Sequence, residues 1–215
     1  MMKTELVFIL DRSGSMSGLE SDTIGGYNAM LEKQKQQPGE AYVTTVLFDD
    51  QYELLHDRAN LAGIAPITQK EYYVRGTTAL LDAVGKTIQK VVNAQKHVAP
   101  DYRADNVVVV ITTDGLENAS REYTGDQMKA LVKNQQEQGW EFIFLGANID
   151  AVATAQQYGI HQDHAANFVA DGAGVQLNYM AVNEAITQLR SNMPLSSNWK
   201  AGIEDDYCRR KAKKD

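Results

Sequence analysis

The sequence predicts an α/β protein built on a doubly wound, mostly parallel sheet of six strands with helices on both faces. Short β-rich runs alternate with segments of helical apolar spacing along most of the chain. The run at residues 6–10 is continuously apolar and the run at residues 106–111 is the most β-branched of the chain, and both are typical of strands buried on both faces. Strands that alternate with helices imply crossover connections, and crossovers place the helices over both faces of a parallel sheet.

Composition limits the classes of function open to this chain. Its 215 residues fit one domain, 43% of them are hydrophobic, and no apolar run approaches the roughly 20 residues of a membrane span. The formal net charge of −7 argues against attraction to nucleic acid or to anionic lipid. We therefore expect no membrane and no nucleic-acid partner, and the composition leaves the oligomeric state open.

Two features of the sequence favour a cytoplasmic location. Residues 1–5 lead almost at once into the first predicted strand and leave no room for a secretory signal. Cys208, the single cysteine, cannot form an internal disulfide, which agrees with a reducing compartment and also suits a secreted domain without disulfides.

The first half of the chain predicts two buried strands, a helix and an antiparallel edge strand. The strand 6–10 precedes a helix from residue 18 to about 37, which Pro38 and Gly39 end. A strand, a turn, a return strand and an irregular connection with one short helix follow at residues 42–48, 49–50, 52–55 and 58–74.

The second half predicts further alternation of helices and strands, followed by a C-terminal segment rich in charged residues. Helices are predicted at residues 78–92, 126–138, 150–158 and 175–190, and strands at 106–111, 140–145 and 167–170. Residues 1–195 would form the domain. Residues 196–215 would form a flexible extension, in which acidic residues 204–206 precede a basic run, and we expect a solvated tail there.

Oxygen-bearing side chains follow the two most apolar strands. The loop 11–16, with the sequence DRSGSM, supplies one carboxylate and two hydroxyls, and hard cations prefer oxygen ligands. Taken alone, this loop also fits a polar turn whose side chains bond to local backbone amides. The strand 106–111 ends at residues 112–115, TTDG. Ligands of doubly wound sheets bind beyond the carboxyl ends of the strands, so Asp11 and Asp114 are expected to face one crevice.

Three motifs together resemble a known family. The DRSGSM loop, residues 76–80 (GTTAL) and residues 113–115 (TDG) resemble the metal-ion-dependent adhesion site, or MIDAS, of the von Willebrand factor type A (VWA) domain. The resemblance covers roughly residues 5–190. It implies a stand-alone VWA domain with a Rossmann-like sheet in the strand order 3-2-1-4-5-6.

The resemblance also implies a set of metal ligands. Ser13 and Ser15 would bind the cation through their hydroxyls, and Thr78 would supply a third hydroxyl when a ligand is engaged. Asp11 and Asp114 would act mainly through bridging waters.

The choice of threonine departs from the family pattern. Family members usually carry two glycines before the threonine, whereas Arg75, Gly76 and Thr77 precede Thr78 here, so Thr77 is a rival. Thr78 is preferred because the alanine and leucine that follow it match the family.

The donor types favour a metal-dependent protein-binding module. Mg²⁺, or Mn²⁺ or Ca²⁺ in its place, would keep much of its charge among neutral hydroxyls and would recruit an Asp or Glu from a protein partner. The alternative is a Mg²⁺-dependent phosphoryl-transfer enzyme of haloacid-dehalogenase-like type, which would need a second aspartate where Ser13 stands. We expect no catalytic residues and no nucleotide cofactor, because no glycine-rich phosphate loop follows the first strand.

Other polar residues receive structural interpretations. Asp49 and its neighbour are expected in a hairpin turn, and Asp82 in the first turn of its helix, where it favours the helix dipole. Asp150 is expected to cap a helix. The glycosylation sequon that begins at Asn118 is expected to be incidental, and the four histidines have no assigned role.

Overall fold

The computed structural model describes residues 2–212 of the chain. Within these residues one mixed sheet has six strands in the order β3-β2-β1-β4-β5-β6. The strands are β1 (Lys3–Asp11), β2 (Glu40–Phe48), β3 (Tyr52–Asn60), β4 (Asn106–Thr113), β5 (Glu141–Ala147) and β6 (Ala165–Phe168). Neighbouring strands are parallel except for the antiparallel pair β2 and β3. The predicted fold class and the strand order implied by the resemblance are both confirmed.

Helices cover both faces of this sheet. The α-helices in residues 2–212 are α1 (Glu20–Lys35), α2 (Leu80–His97), α3 (Gly125–Gln136), α4 (Ala151–Gln157), α5 (Gly172–Arg190) and α6 (Ala201–Lys211). Leu6 and Phe8 of β1 face a core layer shared with α1, α5 and α6. Val7 and Ile9 face a second layer shared with α2, α3 and α4. Every side chain from 6 to 10 is therefore buried, which explains the continuous apolar run.

Strand β3 extends beyond the predicted return strand 52–55. It reaches Asn60, which pairs with Tyr42, and the register of the pair shifts around Thr45. Arg58 adopts a positive φ of 46° next to this irregularity. The strand is an edge with half-buried side chains, so its second half needs no apolar residues and carries no sequence signal.

The C-terminal segment is a packed helix where the sequence predicts a solvated tail. Helix α6 packs against β6 and α5, and Trp199 and Ile203 are buried in the same core layer as α1. The indole Nε1 of Trp199 donates a hydrogen bond to Asp163 O at 2.7 Å. The prediction is thus wrong for residues 201–211, because a few well-spaced apolar side chains anchor a mostly charged helix. Residues 213–215 lie outside the described residues, and the boundary at residue 195 stays a prediction.

The register of the central strands brings two loops together. Leu10 of β1 pairs with Thr112 of β4, and Asp11 pairs with Phe48 of β2. Because these strands are parallel, the loops that follow β1 and β4 leave the sheet side by side at its carboxyl edge. No helix among residues 2–212 combines the length and the apolar composition that crossing a bilayer requires.

Candidate metal centre

Three hydroxyls and one carboxylate form a continuous chain of contacts at the carboxyl edge of the sheet. The Oγ atoms of Ser13 and Ser15 lie 3.1 Å apart. Thr78 Oγ1 donates to Ser13 Oγ at 3.0 Å, and Ser15 Oγ donates to Asp114 Oδ1 at 2.5 Å. The structure therefore brings together residues from the three motifs that the sequence singled out.

Asp11 holds the start of the loop 11–16 through hydrogen bonds to both of its carboxylate oxygens. Its Oδ1 accepts from the backbone N–H of Ser13 at 2.7 Å, and its Oδ2 accepts from Thr113 Oγ1 at 2.6 Å. The residue is only 1% exposed. Burial raises the pKa of Asp11 to about 6, although hydrogen bonds from Ser13 and Thr113 oppose the rise. Because each oxygen of Asp11 already accepts a hydrogen bond, Asp11 suits an indirect interaction with a cation, through water, better than direct coordination.

Asp114 has one oxygen without a protein partner. Oδ2 is buried and accepts no hydrogen bond from the described residues, while Oδ1 accepts from Ser15. Burial also raises the pKa of Asp114. A buried carboxylate oxygen left unpaired is costly, and a cation or a cation-bound water would relieve that cost. This observation fits a divalent metal among these residues.

Two motif glycines lie where the site leaves little room for a side chain. A Cβ on Gly115 would lie 3.2 Å from Ser15 Oγ and 3.3 Å from Thr78 Oγ1. Gly76 has a φ of 65°, and a Cβ there would collide with the carboxylate of Asp50. Gly115 thus leaves space for the Ser15 and Thr78 hydroxyls. Gly76 instead leaves space for Asp50 and adopts a left-handed conformation that favours glycine.

The structure places Thr78, and not Thr77, beside the serines. Thr78 is 3% exposed and contacts Ser13, whereas Thr77 is exposed to solvent. Ser15 is also exposed, so the group of hydroxyls opens toward solvent on one side.

Arg12, which the sequence interpretation left without a role, ties the site to its neighbours. Its guanidinium is buried, and Nε donates to Asp49 Oδ2 at 2.9 Å. Arg75 Nε donates to the same oxygen at 2.7 Å, and the Tyr73 ring lies 5.2 Å from the Arg12 Cζ. Asp49 also accepts from the backbone of Gln51, as the predicted turn requires. A cationic side chain directly after a buried strand is a sequence signal for a buried acidic partner, but it does not identify which residue supplies the carboxylate.

The other predicted structural residues have identifiable partners. Asp150 caps α4 by accepting from Ala153 N at 3.0 Å, which confirms its prediction. Asp82 lies in the first turn of α2 as predicted, and it also accepts from the N–H groups of residues 121–123 at 2.9 Å each. Asn118, in the sequon, accepts from Thr78 N at 2.9 Å.

The candidate centre has a different set of donors from metal sites built on clusters of His, Cys, Asp or Glu side chains. Residues 2–212 contain no group of three or more His, Cys, Asp or Glu side chains placed to hold a metal. The candidate centre instead combines hydroxyls with two carboxylates, a set that suits hard cations such as Mg²⁺.

Comparison with known proteins finds similar structures but no match to a protein-family model or a curated protein. Among solved structures, proximal thread matrix protein 1 (PTMP1) from the mussel byssus, with a zinc-occupied MIDAS motif, has a TM-score of 0.58 and 15% identity over 86% of this chain and 46% of its own. The chain thus spans about half the length of PTMP1.

Two further structures match over more of their own length. The SpRpn10 VWA domain has a TM-score of 0.57 and 11% identity over 85% of this chain and 95% of its own. Manganese-loaded TRAP from Plasmodium vivax has a TM-score of 0.57 and 15% identity over 83% and 73%. At such identities the likeness concerns the fold, and it agrees with the observed strand order. The chain therefore has the fold of a von Willebrand factor type A domain.

Proposed function

We propose that this chain is a divalent-cation-dependent protein-binding module. Ser13, Ser15 and Thr78 would hold the cation through their hydroxyls, and Asp11 and Asp114 would act on it through water. The contacts of 2.5–3.1 Å that join Ser13, Ser15, Thr78 and Asp114 carry this proposal. Mg²⁺ is the proposed cation, and the cytoplasm the proposed location.

Two further observations support a cation at this position. The buried Oδ2 of Asp114 has no protein donor among the described residues. The similar structures include PTMP1 with zinc in its MIDAS motif and TRAP loaded with manganese. We extend divalent-metal binding from those proteins to this chain as part of the proposal.

A partner carboxylate is the natural last ligand of such a cation. The three hydroxyls are neutral, so most of the positive charge would remain available to an incoming anion. Ser15 lies on the exposed side of the group. Leu116, which is 67% exposed, follows Asp114 by two residues. The ring of Tyr73, which is 42% exposed, lies 5.2 Å from Cζ of Arg12, the neighbour of Ser13. These two side chains would give an acidic partner segment apolar contacts beside the metal.

The phosphoryl-transfer alternative finds little support in the geometry. Such an enzyme needs an accessible carboxylate nucleophile and a second acid, whereas Asp11 is buried with both oxygens hydrogen bonded. Ser13 occupies the place where the second aspartate would be needed, and its hydroxyl is a weak acid and base. We therefore propose no catalytic role for these residues.

A metal-dependent capture experiment tests the proposal. Tagged protein is used as bait in Mg²⁺, in Mg²⁺ with excess EDTA, and as the Asp114→Ala variant in Mg²⁺. We expect a partner that is retained only by the unaltered protein with metal. A partner that remains bound after chelation and binds Asp114→Ala equally well would contradict a metal-completed interface.

A further inference from the structure

The backbone of Thr78 is held on both sides by the loop that follows Asp114. Its N–H donates to Asn118 Oδ1 at 2.9 Å. Its carbonyl accepts from the N–H groups of Asn118 at 3.0 Å and Ala119 at 3.2 Å. The candidate threonine ligand is thus tied to the same loop that carries the candidate aspartate.

Glu117 fastens this loop to the start of α2. Its Oε1 accepts from Ala119 N at 2.9 Å and Ser120 N at 2.7 Å. Its Oε2 accepts from Ser120 Oγ at 2.8 Å and from Leu81 N at 2.9 Å. The first amides of a helix have no acceptor within the helix, so Glu117 satisfies Leu81 from outside.

These hydrogen bonds connect two of the three motifs. Asp82, one residue further along α2, binds the amides of residues 121–123. Glu117, Asn118 and Asp82 together join the 76–80 loop and the loop after β4 into one unit. These contacts exist while the Thr78 hydroxyl bonds to Ser13 Oγ at 3.0 Å.

We infer that Asn118 and Glu117 are positioning residues that hold the Thr78 hydroxyl in place for the cation before any partner binds. This inference rests on the proposed metal function and deepens it. The resemblance to VWA domains implies that the threonine joins when a ligand is engaged. Here the chain's own contacts keep its hydroxyl beside Ser13, so this hydroxyl is in place for the cation without a partner.

Loss of the Asn118 side chain should weaken cation binding by a measurable amount. Without the acceptor of Asn118, the 76–80 loop would sample more conformations, and cation binding would have to order it again. Removing residues that orient metal ligands typically weakens metal affinity about 10-fold to 100-fold. We expect Asn118→Ala to weaken Mn²⁺ binding by about tenfold, at the lower end of that range.

The test measures Mn²⁺ dissociation constants by titration calorimetry in the absence of any partner. Asn60→Ala is the matched control, because Asn60 Oδ1 likewise accepts from a backbone amide, Ala62 N at 2.9 Å. Asn60 pairs with Tyr42 near the start of β2, so it lies toward the opposite edge of the sheet. Glu117→Gln is a second variant, since an amide cannot accept at both ends and would face Leu81 N–H or Ser120 N–H with its own NH₂ group.

The outcomes separate this inference from the proposed function. Weaker Mn²⁺ binding in Asn118→Ala and Glu117→Gln, with unchanged binding in Asn60→Ala, supports positioning. If Ser13→Ala loses Mn²⁺ binding while both positioning variants stay within about twofold of the unaltered protein, below the usual effect of such residues, the inference is overturned and the metal function stands. If the unaltered protein binds no Mn²⁺, both are overturned.

Discussion

The Ser15 hydroxyl lies 2.5 Å from Asp114 Oδ1, although the two residues are 99 positions apart in the sequence. The contact exists because β1 and β4 are adjacent and parallel, so their following loops leave the sheet at one edge. The other oxygen of Asp114 has no donor among the described residues. The Asp114 carboxylate thus bonds to the serine loop through one oxygen, while its other oxygen is buried without a donor in residues 2–212. A cation would compensate the charge of that oxygen.

The ionisation of Asp11 should make the metal-free protein less stable as pH rises. Burial raises its pKa from an ordinary value of 3.8 to about 6. The folded state therefore holds the proton more tightly than the unfolded state, and the stability contributed by this group is lost between about pH 4 and 6. At pH 7 the cost is about 2–3 kcal/mol, from about 1.36 kcal/mol per pKa unit.

Urea denaturation in EDTA across pH 4–8 measures this cost. Asp11→Asn should have a higher free energy of unfolding than the unaltered protein at pH 7, and the difference should shrink toward pH 4. The variant should also lose any stabilisation by Mg²⁺. Parallel pH profiles for the two proteins would show that Asp11 does not titrate as described.

Replacement of the two adjacent threonines should have different effects. Thr78→Ala removes a hydroxyl that contacts Ser13, and it should weaken Mn²⁺ binding by about tenfold, on the scale of orienting residues. Thr77→Ala removes an exposed hydroxyl, and Mn²⁺ affinity should not change. Calorimetric titrations of both variants with Mn²⁺ show which threonine contributes to cation binding. A larger loss in Thr77→Ala would reverse the assignment.

Gly115→Ala should impair the centre through crowding. The new methyl group would lie 3.2 Å from Ser15 Oγ and 3.3 Å from Thr78 Oγ1, so both hydroxyls must move. We expect weaker Mn²⁺ binding with little change in unfolding temperature. Gly63→Ala is the control, because a Cβ there meets no atom within 4 Å. Equal Mn²⁺ affinities for the two variants would contradict the proposed crowding.

Trp199→Ala should destabilise the whole fold. Trp199 is 4% exposed and packs in the core with the residues of α1 and α5. Replacing a buried aromatic by alanine costs about 3–5 kcal/mol, and the bond to Asp163 O is lost as well. Met193→Ala, at a residue 51% exposed, is the control. An unchanged free energy of unfolding for Trp199→Ala would restore the prediction of a solvated C-terminal segment.

The sequence predicted the parts of the fold that depend on local pattern. Leu6 and Val108 lie in runs whose apolar residues occupy both faces of a strand, and such runs can be recognised without a partner. The motif residues Ser13 and Asp114 were singled out by their oxygen donors and their place after strands, whereas Thr78 was assigned only through the resemblance to the VWA metal site.

What the sequence missed depends on partners that are distant along the chain. Arg12 and Asp49 form a buried ion pair across 37 positions, and neither residue alone identifies the other. Glu117 and Leu81 interact through a backbone amide, which has no sequence signature. The second half of β3 and helix α6 were missed because edge strands and charged helices need few apolar residues.

Titration of Mn²⁺ into the unaltered protein, Ser13→Ala and Ser17→Ala tests whether the loop 11–16 holds a cation. Ser17 is an exposed serine four residues further along the chain, so it is a matched control. We expect the unaltered protein and Ser17→Ala to bind one ion with equal affinity, and Ser13→Ala to bind it at least about tenfold more weakly. Equal binding by Ser13→Ala, or no binding by the unaltered protein, would show that Ser13 and its neighbours do not form a metal centre.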